Sequence, residues 1–215
     1  MSSPSVPGDL IQRARTLAHS GGRRLLGIVG PPGAGKSSLA EGLVRELAPL
    51  VCHVPMDGFH LANSELTRLQ LQQRKGAPET FDVGGYLALL ERLAACDEDI
   101  VYAPEYRRSI EEPVAGSVAV PLSLPLVVTE GNYLLLDQGP WANARTLLDE
   151  VWFVDVDEDI RRSLLIARHV RFGKTPEAAR AWALGTDERN AKLVAATKHR
   201  ANLVVPLDLG AFTRT

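Results

Sequence analysis

A three-layer α/β fold is the class the sequence predicts, with a parallel sheet covered by helices on both faces and a small helical lid. Three observations carry this. Short apolar runs of strand length recur along the 215 residues. Segments with helical apolar spacing alternate with them, so neighbouring strands lie parallel with covered faces. Several runs stop at glycine or at acid-glycine, as buried parallel strands do where they meet a loop.

Taken in order, residues 1–8 are rich in Ser and Pro and read as a loose tail. Asp9 is placed to cap a short amphipathic helix, "LIQRARTLAHS", which Gly21-Gly22 ends. "RLLGIVG" is the first strand, and "KSSLAEGLVRELAPL" a helix with Leu39, Leu43, Val44 and Leu47 on one side. "VCHVPM" is a second buried strand, with Pro55 tolerated near its end. The polar stretch "NSELTRLQLQQRKG" reads as helix, and Asp82 caps another, "DVGGYLALLERLAAC". "IVYAPEYRRSIEEPVAGSVAVPL" reads as loop with short strands. "PLVVTEG", "EVWFVDVD" and "ANLVVPLDL" are strands, and "EDIRRSLLIARHVRFGKT" is a basic helix. Thr175-Pro176 opens the next helix with a cap and a proline at its first position. One domain spans 1–215, with tail and first helix over 1–22 and the lid over 157–178.

The bulk properties exclude several classes. A hydrophobic fraction of 45% with 23% charged residues suits a globular chain, and a formal net charge of −2 gives no footprint for nucleic acid. Cys52 and Cys96 form no C-x-x-C pair, so two buried reduced thiols are expected. No signal peptide and no apolar segment of about 20 residues is present, which points to a cytoplasmic protein with no membrane partner.

"GPPGAGKS", residues 30–37, follows a strand and opens a helix. Gly30, Gly33 and Gly35 let the backbone wrap phosphate and aim N–H groups inward, and the helix dipole adds to them. The loop site comprises Gly30, Gly33, Ala34, Gly35, Lys36, Ser37 and Ser38. Lys36 bridges the outer phosphates of a nucleoside triphosphate, and the Ser37 hydroxyl ligates Mg²⁺. No late N-K-x-D segment supports guanine, and D-x-x-G is replaced by "VTEGNY". The length suits a small-metabolite kinase, which needs an acid beside the acceptor hydroxyl and a basic lid.

Asp57 and Glu130 each end a strand on the edge where the phosphate loop sits, the ligand-binding edge of an open parallel sheet. Glu130 suits Mg²⁺, and Asp57 suits taking the proton from an attacking hydroxyl. In the lid, Arg161, Arg162, Arg168, Arg171 and Lys174 could stabilise charge on the transferring phosphoryl, with Arg168 and Arg171 nearest the tip.

With these pieces placed, the chain resembles the phosphoribulokinase/uridine kinase superfamily of P-loop kinases from about Leu25 to Leu207. "MDGFH" and "RKGAPETFDV" are similar to segments of pantothenate kinase; "TEGNYLLL" and "TKHRANLVV" resemble further superfamily motifs. The resemblance implies ATP, Mg²⁺, a five-stranded parallel core and Asp57 as the catalytic acid. It also implies that His60, Arg74, Lys75, Tyr106 and Arg107 surround the acceptor. Compact chains of this kind also resemble bacterial kinases linked by name to fructose transport. A sugar such as fructose therefore ranks first as acceptor, ahead of a nucleoside or pantothenate. The competing class is a nucleotide-binding regulatory module. A monomer or homodimer is expected.

Overall fold

The structure is a computed structural model that describes residues 6–207. Five strands form one parallel sheet: β1 (Arg24–Val29), β2 (Val51–Pro55), β5 (Leu126–Gly131), β6 (Glu150–Asp155) and β7 (Leu203–Pro206). Their spatial order is β2-β5-β1-β6-β7. Side-chain alternation along β1 divides the core into two layers. Leu25 and Val29 face one cluster with α4 (Val83–Ala95), whereas Leu26 and Ile28 face a second with α1 (Gly8–Ala18) and α2 (Lys36–Leu47). Gly27 shares the face of Leu25 and Val29, where a Cβ would meet Leu148 Cδ1 at 2.8 Å.

The amino-terminal expectation changes in two ways. Pro7, not Asp9, precedes the first helical residue, and Asp9 lies in the first turn of α1, where it complements the helix dipole. Val6 is buried against Gly42 of α2, so the loose-tail reading fails for residues 6–8; residues 1–5 lie outside the described residues. The predicted last strand ends at Pro206, and its positions 208–209 also lie outside them.

The stretch read as loop with short strands is instead a long antiparallel hairpin, β3 (Ile100–Arg107) with β4 (Glu112–Pro121). Its prolines do not prevent pairing, since a two-stranded ribbon leaves alternate N–H groups unpaired. Arg23 ties this hairpin to β1. Its buried guanidinium donates to the carbonyls of Leu93, Pro121, Leu122 and Leu124. The polar helix after Asn63 is shorter than expected: α3 (Asn63–Arg68) stops before Gln70, whose φ is +60°, and a 3-10 turn follows at Gln72–Arg74.

Asp82 caps α4 by accepting from the Gly85 N–H, as expected. The stretch expected to be the lid, 157–178, holds α5 (Glu158–Arg171) and the start of α6 (Pro176–Trp182), followed by a π-turn at Ala183–Asp187 and α7 (Glu188–Ala195). Asp157 caps α5 and Thr175 caps α6. Cys52 and Cys96 are free thiols, each partly rather than fully buried. Among the described residues no helix is long and apolar enough to cross a membrane.

Candidate active site

The phosphate loop leaves β1 at Val29 and enters α2 at Lys36. Gly33 and Gly35 hold φ of +85° and +88°, which favour glycine. A Cβ at Gly30 would press on the Val154 carbonyl at 3.0 Å. Ala34 turns its methyl into the core, which leaves its backbone to line the turn. Lys36 is buried, and its Nζ donates to the Pro31 carbonyl at 3.2 Å. Burial pulls its pKa down, opposed by Glu130 and Asp57. Ser38 is exposed on the outer side of α2 and does not line the cavity.

Opposite Lys36, the last turn of β5 delivers Glu130. The Ser37 Oγ donates to its Oε1 at 2.9 Å. Burial raises the Glu130 pKa first, then the Asp57 charge, while Lys36 and Ser37 pull it back. His53 Nε2, buried and with no hydrogen-bond partner, lies 3.9 Å from the same oxygen. Asp57 sits in the 3-10 turn Met56–Phe59 that follows β2. Arg108 Nη2 stands 3.8 Å from its Oδ2. Gly58 is required by a close approach rather than a turn: a Cβ there would lie 2.3 Å from the Pro104 carbonyl oxygen.

A cavity of about 610 Å³ joins these groups. One wall is aromatic, with His60 4.0 Å from Phe81 and 4.8 Å from Tyr106 between ring centroids. His60 Nδ1 donates to the Asp57 carbonyl at 2.8 Å. A carbonyl only accepts, so Nδ1 carries the proton and Nε2 of the neutral ring is an acceptor. Lys75 lies 5.2 Å from the Tyr106 ring centre, and the Tyr106 hydroxyl donates to Glu111 Oε2 at 2.8 Å. The lid supplies Arg168, His169, Phe172 and Lys174. Burial lowers the Arg168 pKa, and Arg108 lowers it further. Lys174 stacks on Trp182 at 4.6 Å.

Of the predicted residues, Gly33, Lys36, Ser37, Asp57, His60, Lys75, Tyr106, Glu130 and Arg168 line this one cavity. Gly30, Ala34, Gly35 and Ser38 of the loop do not, and neither do three arginines. Arg74 points outward and pairs with Glu79 at 2.5 Å. Arg107 is exposed because strand alternation turns it away once Tyr106 faces inward. Arg171 is exposed and off the cavity, which is lined by Arg168 and His169 of α5 and by Phe172 just after it. Arg161 and Arg162 are also absent from the cavity. Both bind Glu188 at 2.8 Å, Arg161 also holds the Pro32 carbonyl at 3.2 Å, and these bonds pull the Glu188 pKa down to about 2.

Sequence reasoning missed Arg108, Asn132, His169 and Asp187, all of which line the cavity. Arg108 was legible only as the second half of an Arg-Arg pair, and Asp187 belonged to no recognised motif.

No protein-family model matches the chain. It is 37% identical over 190 residues to "Uncharacterized protein YggC" of Escherichia coli, covering 86% of this chain and 78% of that protein. It is 36% identical over 160 residues to the "ATP-dependent kinase-like protein notR'" of Aspergillus versicolor, covering 70% and 93%. Among solved structures, a "putative fructose transport system kinase" from Silicibacter sp. TM1040 superposes with a TM-score of 0.81 at 33% identity, covering 92% of this chain and 98% of that one.

A phosphate loop at the carboxyl edge of a parallel sheet, with facing acids and a basic lid, defines a nucleotide-dependent phosphotransferase. The chain belongs to the P-loop kinases of the phosphoribulokinase/uridine kinase superfamily, ATP-dependent enzymes that act on small molecules.

Proposed function

We propose that this kinase transfers the γ-phosphate of ATP to a hydroxyl of a small polyhydroxyl metabolite, with a sugar such as fructose as the first class to test. The observation that carries it is the convergence of Lys36, Ser37, Glu130 and Asp57 on one cavity at the carboxyl edge of the sheet. The likeness to the Silicibacter fructose transport system kinase supports a sugar.

The phosphate loop fits a triphosphate: its glycines have no space for side chains or hold positive φ, and Lys36 is a buried cation with a single neutral partner. The hydroxyl of Ser37 and the carboxylate of Glu130, 2.9 Å apart, are the hard oxygen donors Mg²⁺ takes. Bound there with phosphate and water oxygens, the ion would neutralise charge on the β and γ oxygens. No group of three His, Cys, Asp or Glu among the described residues could hold a metal alone, which suits an ion completed by nucleotide.

Asp57 orients the acceptor and accepts its hydroxyl proton as the oxygen attacks phosphorus. Its position in a turn braced by the Pro104 backbone keeps the carboxylate fixed toward the cavity. Arg168 stabilises charge on the equatorial oxygens, while Phe172 and Trp182 close the site against water. Cytoplasmic location, as a monomer or homodimer without a nucleic-acid partner, completes the reading. The test is ATP consumption with and without sugars, uridine or pantothenate. Acceptor-stimulated turnover is expected; none across the panel would support a nucleotide-binding regulatory module instead.

A further inference from the structure

The acceptor end of the cavity holds more charge than alcohol phosphorylation requires. Lys75 and Arg108 come from different elements, the turn after α3 and the tip of the β3–β4 hairpin, yet both line the cavity near His60, and Arg108 also faces Asp57. The Lys75 Nζ donates to two neutral oxygens, Asn63 Oδ1 and the Glu111 carbonyl, each at 2.7 Å. Among the described residues no carboxylate lies within ion-pair distance of it. Arg108 stands 3.8 Å from Asp57, beyond a hydrogen bond, and rests against the Phe172 ring at 5.6 Å.

The acids of the cavity are engaged elsewhere. Glu111 accepts from Tyr106, Asp187 binds His169, and Glu130 accepts from Ser37. Asp57 alone remains, and it is needed for the acceptor hydroxyl. A neutral sugar would find acceptors at His60 Nε2, Gln72 and Gln73, but at this end of the cavity Lys75 and Arg108 add two cationic donors that a neutral ligand does not need. A ligand rich in acceptor oxygens fits it, because a partly buried ammonium and a guanidinium form strong hydrogen bonds with an anion.

We propose that the acceptor carries an anionic group, carboxylate or phosphate, besides its reacting hydroxyl, and that Lys75 and Arg108 bind that group. The inference rests on the kinase reading above and refines its acceptor from a neutral polyol to a hydroxy acid or a sugar phosphate. Specificity arises because the hydroxyl must reach Asp57 while the anion sits between the turn after α3 and the hairpin tip. A neutral analogue leaves Lys75 with neutral hydrogen-bond partners and Arg108 with only the Asp57 carboxylate at 3.8 Å.

The experiment measures kcat/KM of the full chain with ATP and Mg²⁺ for paired acceptors. Fructose and uridine form the neutral arm; D-gluconate, D-glycerate and pantothenate form the carboxylate arm; fructose monophosphate forms the phosphate arm. At least one anionic acceptor should exceed every neutral one by roughly 10- to 100-fold, the range of a hydrogen bond to a charged group. The better anionic arm identifies the source of the charge. Lys75→Met and Arg108→Leu should each raise KM for that acceptor by a similar factor while changing KM for ATP less, and Lys75→Arg should recover part of the loss. Equal or better turnover of fructose or uridine would overturn the anionic site and leave the kinase reading standing. No stimulation by any acceptor would overturn the kinase reading, and this inference with it. The wild-type comparison decides the matter even if a variant does not fold.

Discussion

His169 Nε2 lies 2.7 Å from Asp187 Oδ2, so the last turn of α5 is tied to the π-turn that ends the lid, with both side chains on the cavity. The bond joins two elements that both line the site. π-turns often mark functional positions, and this one places a carboxylate where a regular helix would rotate it away. Asp187→Asn should weaken lid closure and admit water. The ratio of acceptor-independent ATP hydrolysis to phosphoryl transfer should rise about fivefold, the factor that a bond worth ~1 kcal/mol supports. Parallel measurement of ADP and phosphorylated acceptor tests this, and an unchanged ratio would remove the pair from lid control.

Asp57→Asn keeps the shape of the side chain but removes its basicity. Turnover should fall by roughly 10²-fold or more, while ATP affinity changes little. Nucleotide binding by calorimetry beside steady-state rates checks both halves. Near-normal turnover would exclude Asp57 as the base.

Glu130→Gln leaves an acceptor for the Ser37 hydroxyl but removes the buried carboxylate that the proposed function assigns to Mg²⁺. The Mg²⁺ concentration for half-maximal rate should rise by roughly tenfold or more, the scale of an interaction with a charged group. A titration at saturating ATP reads it. An unshifted midpoint would mean that the ion is held without this carboxylate.

The framework was legible because its signals are local. A buried strand that stops at glycine, followed by glycine-lysine-serine and an amphipathic helix, requires only neighbours in sequence, and the same holds for Asp57 and Glu130 at strand ends. The hairpin was hidden by its prolines and by polar residues on a ribbon that is mostly half-exposed. The family resemblance points to Arg107, yet Arg108 lines the cavity, since one residue along the chain at the end of β3 moves a side chain to the opposite face. Arg74 and Arg171 are charged and nearby, but their orientation depends on the end of the turn at Arg74 and the end of α5. Asp187 was illegible because its placement requires the π-turn.

Gly58→Ala tests whether the Asp57 turn depends on its contact with the hairpin. The added Cβ would lie 2.3 Å from the Pro104 carbonyl oxygen and 3.2 Å from the Glu105 nitrogen, and both are backbone atoms with little freedom to move. Overpacking of this kind costs about 1–3 kcal/mol. The thermal midpoint should fall, and turnover should fall beyond what that instability explains, because relief of the clash moves Asp57. A variant with unchanged stability and activity would show that the hairpin yields freely.

His60 gives the expected pH dependence. Burial lowers its pKa below the ordinary 6.5, against the opposing charge of Asp57, and Lys75 and Arg108 add to the lowering. Phe81 and Tyr106 flank the ring and carry no charge at neutral pH. Below 6.5 the unfolded chain takes up a proton on this ring while the folded protein still resists it, so the unfolded state binds more protons and stability falls as the pH is lowered. The contribution is complete above about 6.5 and is lost as pH drops toward the folded value. Chemical denaturation at successive pH values from about 7.5 to 5.5 should show this loss, and His60→Gln should flatten the curve in that window. An equally steep curve in the variant would assign the dependence to other groups.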